Sequence, residues 1–426
     1  MKVQPVFYTQ TNATRFHYNR NENRNVNYLD NSMQSVYSKG LHNLTFGANI
    51  QKLGTNFSKE IAEQSSVLQK LIDKYFLNPG TVNLDLNISK EALNNIKRIR
   101  IFASGSSKNA AEMAQGFIEN TTDIPVFVES ASEFMSNRRI LNSKEDLAIF
   151  VSQSGSTADT LAALNIAKGR RVNTIALTNN PNSVISKKAD SNVTLDAGEE
   201  KAVAATKTVT SSIFNLMAIG LKLGEIKGTL KSSDIDKLVP NFRLIPGKIN
   251  DMLEDTLVVK RAAKIIANSD NLYYYAKNNN LGAVKEGALK LTETTGKRVI
   301  ADSSSEALHG TFASIKPEDP MIQVITGEYG QNSYKMSVDN FKEIIKKRNV
   351  QNPIAIKIKS NNTLNEVLGK DIDPIFIDIP ATKEEYTPIL STVRFQQITD
   401  EVTKILGINP DNGGGFLTKF RQNISM

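Results

Sequence analysis

Leu147-Ala148-Ile149-Phe150-Val151-Ser152-Gln153-Ser154-Gly155-Ser156-Thr157-Ala158-Asp159-Thr160 is the stretch that decides how the chain reads. Its first five residues form an apolar run of the length and composition expected of a strand buried on both faces. Beyond it, Leu161, Leu164, Ala167 and Lys168 continue at helical spacing. Between strand and helix lies a turn rich in hydroxyl side chains. Such a turn aims backbone N–H and O–H groups at one point, and the helix end adds unsatisfied donors and a favourable dipole. A phosphate is the natural occupant. The plainer reading is that Ser154 or Thr157 merely caps the helix.

A second turn of the same kind stands upstream. Ala103-Ser104-Gly105-Ser106-Ser107 follows the expected strand Ile99-Arg100-Ile101-Phe102 and also begins a helix. Open α/β sheets place ligands at the carboxyl ends of parallel strands. Two hydroxyl-rich turns on the first and third strands of one unit would face one crevice. The rival is a dinucleotide fold, whose fingerprint needs Gly-x-Gly-x-x-Gly; Gly105 has neither partner glycine, and Glu129 alone imitates the ribose-binding acid. Hydroxyls in place of glycines suit a compact phosphate monoester better than a pyrophosphate.

Working outward, short apolar runs alternate with helical patterns, which means a parallel, doubly wound α/β sheet. The first unit is expected to hold strands at 99–103, 124–128, 147–151, 172–178 and 192–195, with helices at 107–119, 131–138, 157–169, 181–188 and 204–223. Two further helices, 57–76 and one through 90–96, lead into it. The pattern restarts with strands at 271–276, 297–301, 321–326, 353–359 and 375–379 and helices at 281–295, 306–314, 331–348 and 385–406. The expected organisation is a flexible Asn-rich tail (1–55), a first α/β domain with its leading helices (56–225), a helical connection interrupted by Pro240 and Pro246 (226–265), a second α/β domain (266–406) and an irregular tail carrying Gly413-Gly414-Gly415 (407–426).

Composition bounds the chemistry. Of 426 residues, 40% are hydrophobic and 23% charged, ordinary for a globular protein with a sizeable core. No apolar run reaches membrane-spanning length and no leader pattern opens the chain, so a cytoplasmic protein without a membrane partner is expected. The net charge is +8, but the basic residues are scattered without interleaved aromatics, and no nucleic-acid partner is expected. With no cysteine and three histidines (His17, His42 and His309), zinc-type clusters are excluded on count and no metal site is expected.

Other candidate groups lie further along. Ala197-Gly198-Glu199-Glu200-Lys201-Ala202-Val203-Ala204-Ala205-Thr206-Lys207 reads as a loop entering a helix, with carboxylates near the positive end of its dipole. Glu286, Lys290 and Glu293 share one helical face at i, i+4 and i+7. They are either a solvated salt ladder or, once desolvated, a carboxylate base beside an ammonium. His309 is the one imidazole outside the N-terminal tail: a structural histidine or an acid–base group suited to neutral pH.

Taken together these strings resemble the sugar isomerase (SIS) domain family, most nearly the isomerase half of glucosamine-6-phosphate synthase and the SIS-type glucosamine-6-phosphate deaminases. The matching strings are residues 104–107, 128–134, 152–161 and 203–207 of the first unit, and 286–293 and 306–310 of the second. The resemblance implies two SIS-like domains of three α/β/α layers and a hexose 6-phosphate held by Gly105, Ser106, Ser107, Ser152, Gln153, Ser154 and Thr157, with Val203 and Ala205 lining the sugar pocket. It implies Glu293 moving a proton between C1 and C2, Lys290 beside it, His309 opening the ring, and Lys419 forming an imine with the open-chain ketose. No cofactor is implied, since carboxylate, imidazole and amine suffice. The implied activity is an aldose–ketose isomerase/deaminase turning glucosamine 6-phosphate into fructose 6-phosphate and ammonia, in a homodimer. The alternatives are the ammonia-consuming direction, with external ammonium or a separate glutaminase, and a non-catalytic sugar-phosphate sensor. Three departures stand out: the Asn-rich tail occupies the place of the synthase's glutaminase domain, so this chain is not expected to make ammonia from glutamine; Ser156 stands where the family usually has an acid; and Gly413-Gly414-Gly415-Phe416 replaces the Pro-Arg before the C-terminal lysine.

Overall fold

Residues 54–137, 141–327, 331–361, 363–369 and 371–415 are described by a computed structural model of the chain. The expected Asn-rich tail up to residue 53 and Lys419 with its neighbours lie outside the described residues.

The chain opens on two helices, α1 (Asn56–Tyr75) and α2 (Lys90–Asn94). The first alternation follows as β1 (Arg98–Ala103), α3 (Gly105–Thr122), β2 (Val126–Ser130), α4 (Ala131–Asn137), β3 (Asp146–Ser152), α5 (Ala158–Gly169), β4 (Asn173–Thr178), α6 (Val184–Lys188), β5 (Ser191–Thr194) and α7 (Lys207–Lys227). Helices α8 (Ser232–Glu254) and α9 (Leu257–Ala267) connect to the second alternation: β6 (Asn271–Ala276), α10 (Asn280–Thr295), β7 (Arg298–Ser303), α11 (Ser304–Ala307), β8 (Met321–Ile325), α12 (Asn332–Arg348), β9 (Pro353–Ile358), α13 (Thr363–Leu368), β10 (Ile375–Ile379) and α14 (Thr387–Leu406).

The strands form two five-stranded, all-parallel sheets, ordered β2-β1-β3-β4-β5 and β10-β9-β8-β6-β7, so the two doubly wound sheets expected from the alternation are present. In the first, β1 lies between β2 and β3, with Phe102 opposite Phe150, and the chain winds in opposite directions on either side of the β1/β3 pair. That reversal opens a crevice at the carboxyl ends of β1 and β3. All seven residues of β3 are buried, as a strand covered by helices on both faces requires.

Three local expectations are corrected. Pro240 and Pro246 do not interrupt the connection; both lie inside α8. Each removes one N–H from the ladder, but Phe242, Ile245, Pro246 and Ile249 are buried, and Ser65 Oγ donates to the Pro246 carbonyl at 3.0 Å. Tertiary packing outweighs the local cost. The helix expected at 306–314 splits into α11 and a 3₁₀ turn, Thr311–Ser314, because Gly310 adopts an extended φ outside helical range. The C-terminal segment is regular where it was expected to be irregular: Pro410–Gly415 forms a 3₁₀ turn. It is anchored by Asp411, whose carboxylate accepts the N–H groups of Asn56 and Phe57, both at 2.8 Å, and caps α1.

Among the described residues one helix, α7, is long and apolar enough to cross a membrane, but most of it is buried inside the protein, in keeping with a core helix.

Candidate active site

The crevice between β1 and β3 holds a cavity of about 190 Å³ lined on one side by Ser104, Ser106, Ser107, Gln153, Ser154 and Thr157. Both hydroxyl-rich turns therefore face one space. Each turn depends on a glycine with positive φ: Gly105 at +55° starts α3, and Gly155 at +64° bends the second turn. A Cβ at Gly155 would fall 2.0 Å from Ser183 Oγ, whereas one at Gly105 would meet nothing within 4 Å.

The hydroxyls do not spend themselves on capping. Thr157 holds the N-cap position of α5, yet its Oγ1 bonds Ser152 Oγ at 2.8 Å and caps no helix N–H. Ser104, at the N-cap of α3, makes no side-chain cap bond either, and its buried Oγ has no partner among the described residues. Ser154 Oγ accepts from Ser156 N at 3.2 Å and Ser156 Oγ at 3.1 Å, which leaves its own O–H to donate. Two helix N-termini without side-chain caps thus face the cavity, an arrangement that favours an anion. Ser152 is buried and shapes the turn by accepting Gly155 N at 3.1 Å; it does not line the cavity.

The opposite wall comes from the loop after β5 and the first turns of α7: Glu200, Ala202, Val203, Ala205, Thr208 and Ser212. Glu200 caps α7, accepting Thr206 N at 2.9 Å, Thr208 N at 3.1 Å and Thr208 Oγ1 at 2.6 Å. On the neighbouring residues, Glu60 of α1 accepts Lys201 N at 2.5 Å and Ala202 N at 3.3 Å, while Val203 N donates to the Asp411 carbonyl at 3.1 Å. A loop of unpaired main chain is thereby held on carboxylates and a carbonyl from three directions.

Helix α10 brings the charged triplet behind the Ser106 wall of this cavity, although none of the three residues lines it. Lys290 Nζ donates to Ser106 Oγ at 3.0 Å and to Glu293 Oε2 at 2.6 Å, and stands 3.5 Å from Glu286 Oε1. Asn109 of α3 donates to Glu286 Oε2 at 2.8 Å. The side chains of Lys290 and Glu286 are 1% exposed and that of Glu293 is 20% exposed, so the triplet is not a solvated ladder. Burial is the largest influence on Lys290 and acts against its charge, but Glu286, Glu293 and Glu200 together outweigh it and hold the ammonium's pKa above the ordinary lysine value. Lys290 is a fixed cation.

Of the residues singled out in the sequence, the structure brings together Ser106, Ser107, Gln153, Ser154, Thr157, Val203, Ala205, Lys290 and Glu293, with Gly105 and Ser152 shaping the turns. His309 is exposed in the turn after α11 and does not line the cavity. Lys419 lies outside the described residues. Unforeseen were Asn109 and the far wall at Thr208 and Ser212, whose four-residue separation on one helix was the only available sign. Glu129, the mimic of a ribose-binding acid, is buried and accepts from Arg100 Nε at 2.6 Å within the sheet.

The fold and cavity define an α/β protein with a hydroxyl-lined pocket at the switch point of a parallel sheet, next to a buried carboxylate–ammonium cluster. Residues 92–222 match the SIS domain family, so the first sheet of the chain is built on a SIS domain. It is 32% identical over 339 residues to an isomerizing glutamine–fructose-6-phosphate aminotransferase of Caldanaerobacter subterraneus, covering 79% of this chain and 54% of that protein. The same-named protein of Listeria monocytogenes is 35% identical over 271 residues, 63% of this chain and 45% of that one. The chain thus spans about half the length of these curated relatives. Among solved structures it is similar to the C-terminal domain of glucosamine-fructose-6-phosphate aminotransferase from Francisella tularensis, with a TM-score of 0.79 and 26% identity over 85% of this chain and 99% of that one. It shares its fold with glucosamine-6-phosphate deaminase from Thermotoga maritima, at a TM-score of 0.60 and 20% identity over 84% of this chain and 97% of that one.

Proposed function

We propose that the chain is a sugar-phosphate aldose–ketose isomerase acting on an amino-hexose 6-phosphate, converting glucosamine 6-phosphate and water into fructose 6-phosphate and ammonia. The observation that carries this reading is the contact of Lys290 with Ser106: one hydroxyl turn of the anion pocket touches the charged cluster directly, at 3.0 Å. A substrate with its phosphate on Ser107, Gln153, Ser154 and Thr157 would then extend toward Glu293. There the Glu293 carboxylate takes the proton from C2 of the open-chain aldose and returns it to C1, leaving a C2 imine that water hydrolyses. Lys290, bonded to Glu293 and fixed as a cation, orients that carboxylate and offsets the negative charge that develops on the sugar oxygen. The names of the relatives support the substrate class, a hexose 6-phosphate and its 2-amino derivative. The reading assigns no step to His309.

The test is ammonia release from glucosamine 6-phosphate by the wild-type chain and by Glu293→Gln. The expected outcome is turnover in the first and a fall of about 10²-fold or more in the second, the size of a general-base contribution. Absence of turnover in both, with hexose 6-phosphates still raising the melting temperature, would instead identify a sugar-phosphate sensor. Turnover only from fructose 6-phosphate with ammonium would assign the reverse direction and a separate source of ammonia.

A further inference from the structure

Arg394 of α14 is 3% exposed, and no carboxylate among the described residues stands within ion-pair distance of it. Its Nε donates to the Asp378 carbonyl at 2.9 Å, and its Nη1 to the carbonyls of Met252 at 3.0 Å and Asp255 at 2.9 Å and to Gln397 Oε1 at 3.0 Å. Nη2 has no partner among the described residues. Burying a guanidinium without a counter-ion is costly; the burial pushes its pKa down to about 10, against the opposing pull of Asp255 and Asp378. The cost has a structural return in the stapling of α8, β10 and α14, but that return uses only Nε and Nη1.

Arg394 lines a cavity of about 410 Å³ at the carboxyl ends of β9 and β10, the end of a parallel sheet at which ligands are received. It shares no lining residue with the cavity of the first sheet. The walls add Lys359 and Ser360, just after β9, and the carboxylates of Asp251, Asp255 and Asp378. Asp378 is neutralised by Lys357 at 3.0 Å. Two positive groups, Arg394 and Lys359, therefore face two negative ones, Asp251 and Asp255. A simple anion gains no net attraction there, and a simple cation meets a buried guanidinium. A molecule carrying both signs satisfies both pairs.

We propose that this cavity binds a small zwitterion, a primary ammonium close to a carboxylate or phosphate, with the anionic group on Arg394 Nη2 and Lys359 and the ammonium against Asp251 and Asp255. An α-amino acid and an amino-sugar phosphate share that chemistry. Calorimetric titration of the full chain separates them, with L-glutamine as one probe and glucosamine 6-phosphate as the other. The second arm uses a Ser154→Asp background, in which added charge repels phosphate from the first cavity. Inorganic phosphate and methylammonium serve as single-sign controls. Saturable binding of at least one zwitterion is expected, weakened about tenfold or more by Lys359→Ala and by Asp251→Ala, the loss of one charged contact each. Both residues are exposed, so an unchanged melting temperature is expected to show that the variants are folded. The proposal is overturned if neither zwitterion saturates by about 10 mM, if both variants bind as tightly as wild type, or if either control binds equally well. The L-glutamine arm is independent of the sugar-phosphate reading; a failure of that reading shows separately, as wild-type binding of glucosamine 6-phosphate that Ser154→Asp does not reduce at all.

Discussion

At the scale of single residues, two glycines that look alike in sequence carry different loads. Gly105→Ala places a side chain in left-handed backbone with open space around it, which costs about 1–2 kcal/mol from conformation alone. Gly155→Ala meets the same backbone cost and drives its Cβ into Ser183. Urea titration is therefore expected to rank Gly155→Ala clearly below Gly105→Ala, and equal midpoints would remove the steric account of the second turn. Lys290 gives a sharper case. Lys290→Met leaves the buried Glu286 with Asn109 as its one hydrogen-bond donor, and breaking a buried charge pair costs about 3–5 kcal/mol. Adding Glu286→Gln removes the stranded charge while its Oε1 still accepts from Asn109, so the double variant is expected to recover most of that loss. A double variant no more stable than Lys290→Met would mean that charge pairing is not what holds the site. Because the folded pKa of Lys290 lies above the ordinary value, its contribution is fully present below about pH 10.4 and fades only as pH rises through the folded value.

Elements place these residues, and the loop between β5 and α7 shows how. It has no regular structure of its own, yet Glu60, Glu200 and Asp411 take its N–H groups and those of the helices beside it. Burial, helped by the charge of Glu200, raises the pKa of Glu60 against the pull of the Lys201 and Ala202 N–H groups and Lys207. A carboxyl with a raised folded pKa supports the fold fully below its unfolded pKa and loses that support as pH climbs through the folded value. Glu60→Gln keeps an acceptor oxygen without the charge. The stability gap between variant and wild type is thus expected to widen in the variant's favour from pH 4 to pH 7 (about half a unit below the unfolded carboxyl value, then well above it), and urea midpoints at the two pH values measure it. Much of this level was legible beforehand. Buried parallel strands announce themselves as short apolar runs such as 147–151, and the face shared by Glu286, Lys290 and Glu293 follows from helical spacing. The helical part of the far wall, Thr208 and Ser212, was not legible, because α7 is buried all round and no amphipathic period marks which of its hydroxyls meets the cavity. Neither was the Asn109–Glu286 bond, which joins residues 177 apart. The prolines of α8 misled because local propensity is weaker than the packing of Phe242 and Ile249.

Across the whole molecule, one apolar core joins the two sheets. It takes Ile101 and Ile149 from the first sheet, Ile322 and Ile356 from the second, and Ile118, Leu216, Leu291 and Phe395 from helices α3, α7, α10 and α14. Helix α1, ahead of the first sheet, packs on α7, α8 and α14, and α14, the last helix, packs on α9 and α10. Each sheet has a smaller apolar cluster of its own on one face, but the face on the shared core is incomplete alone: removing the second half would strip α10 and α14 from the first and expose the apolar faces they cover. The candidate site has the same dependence, with its hydroxyl-lined pocket on α3 and α5 and its charged cluster on α10. Two separable domains would unfold in two steps, but a shared core ties their free energies together. Calorimetry is expected to show one transition with a calorimetric enthalpy close to the van't Hoff value. Leu291→Ala, at a fully buried position of α10, is expected to cost about 2–5 kcal/mol and to lower that single transition intact. The chain has 11 tyrosines and no tryptophan, so tyrosine fluorescence and far-ultraviolet circular dichroism supply independent probes that should coincide. Two transitions, only one of them moved by Leu291→Ala, would show that the sheets fold independently and that the pocket and the charged cluster meet only after both have formed.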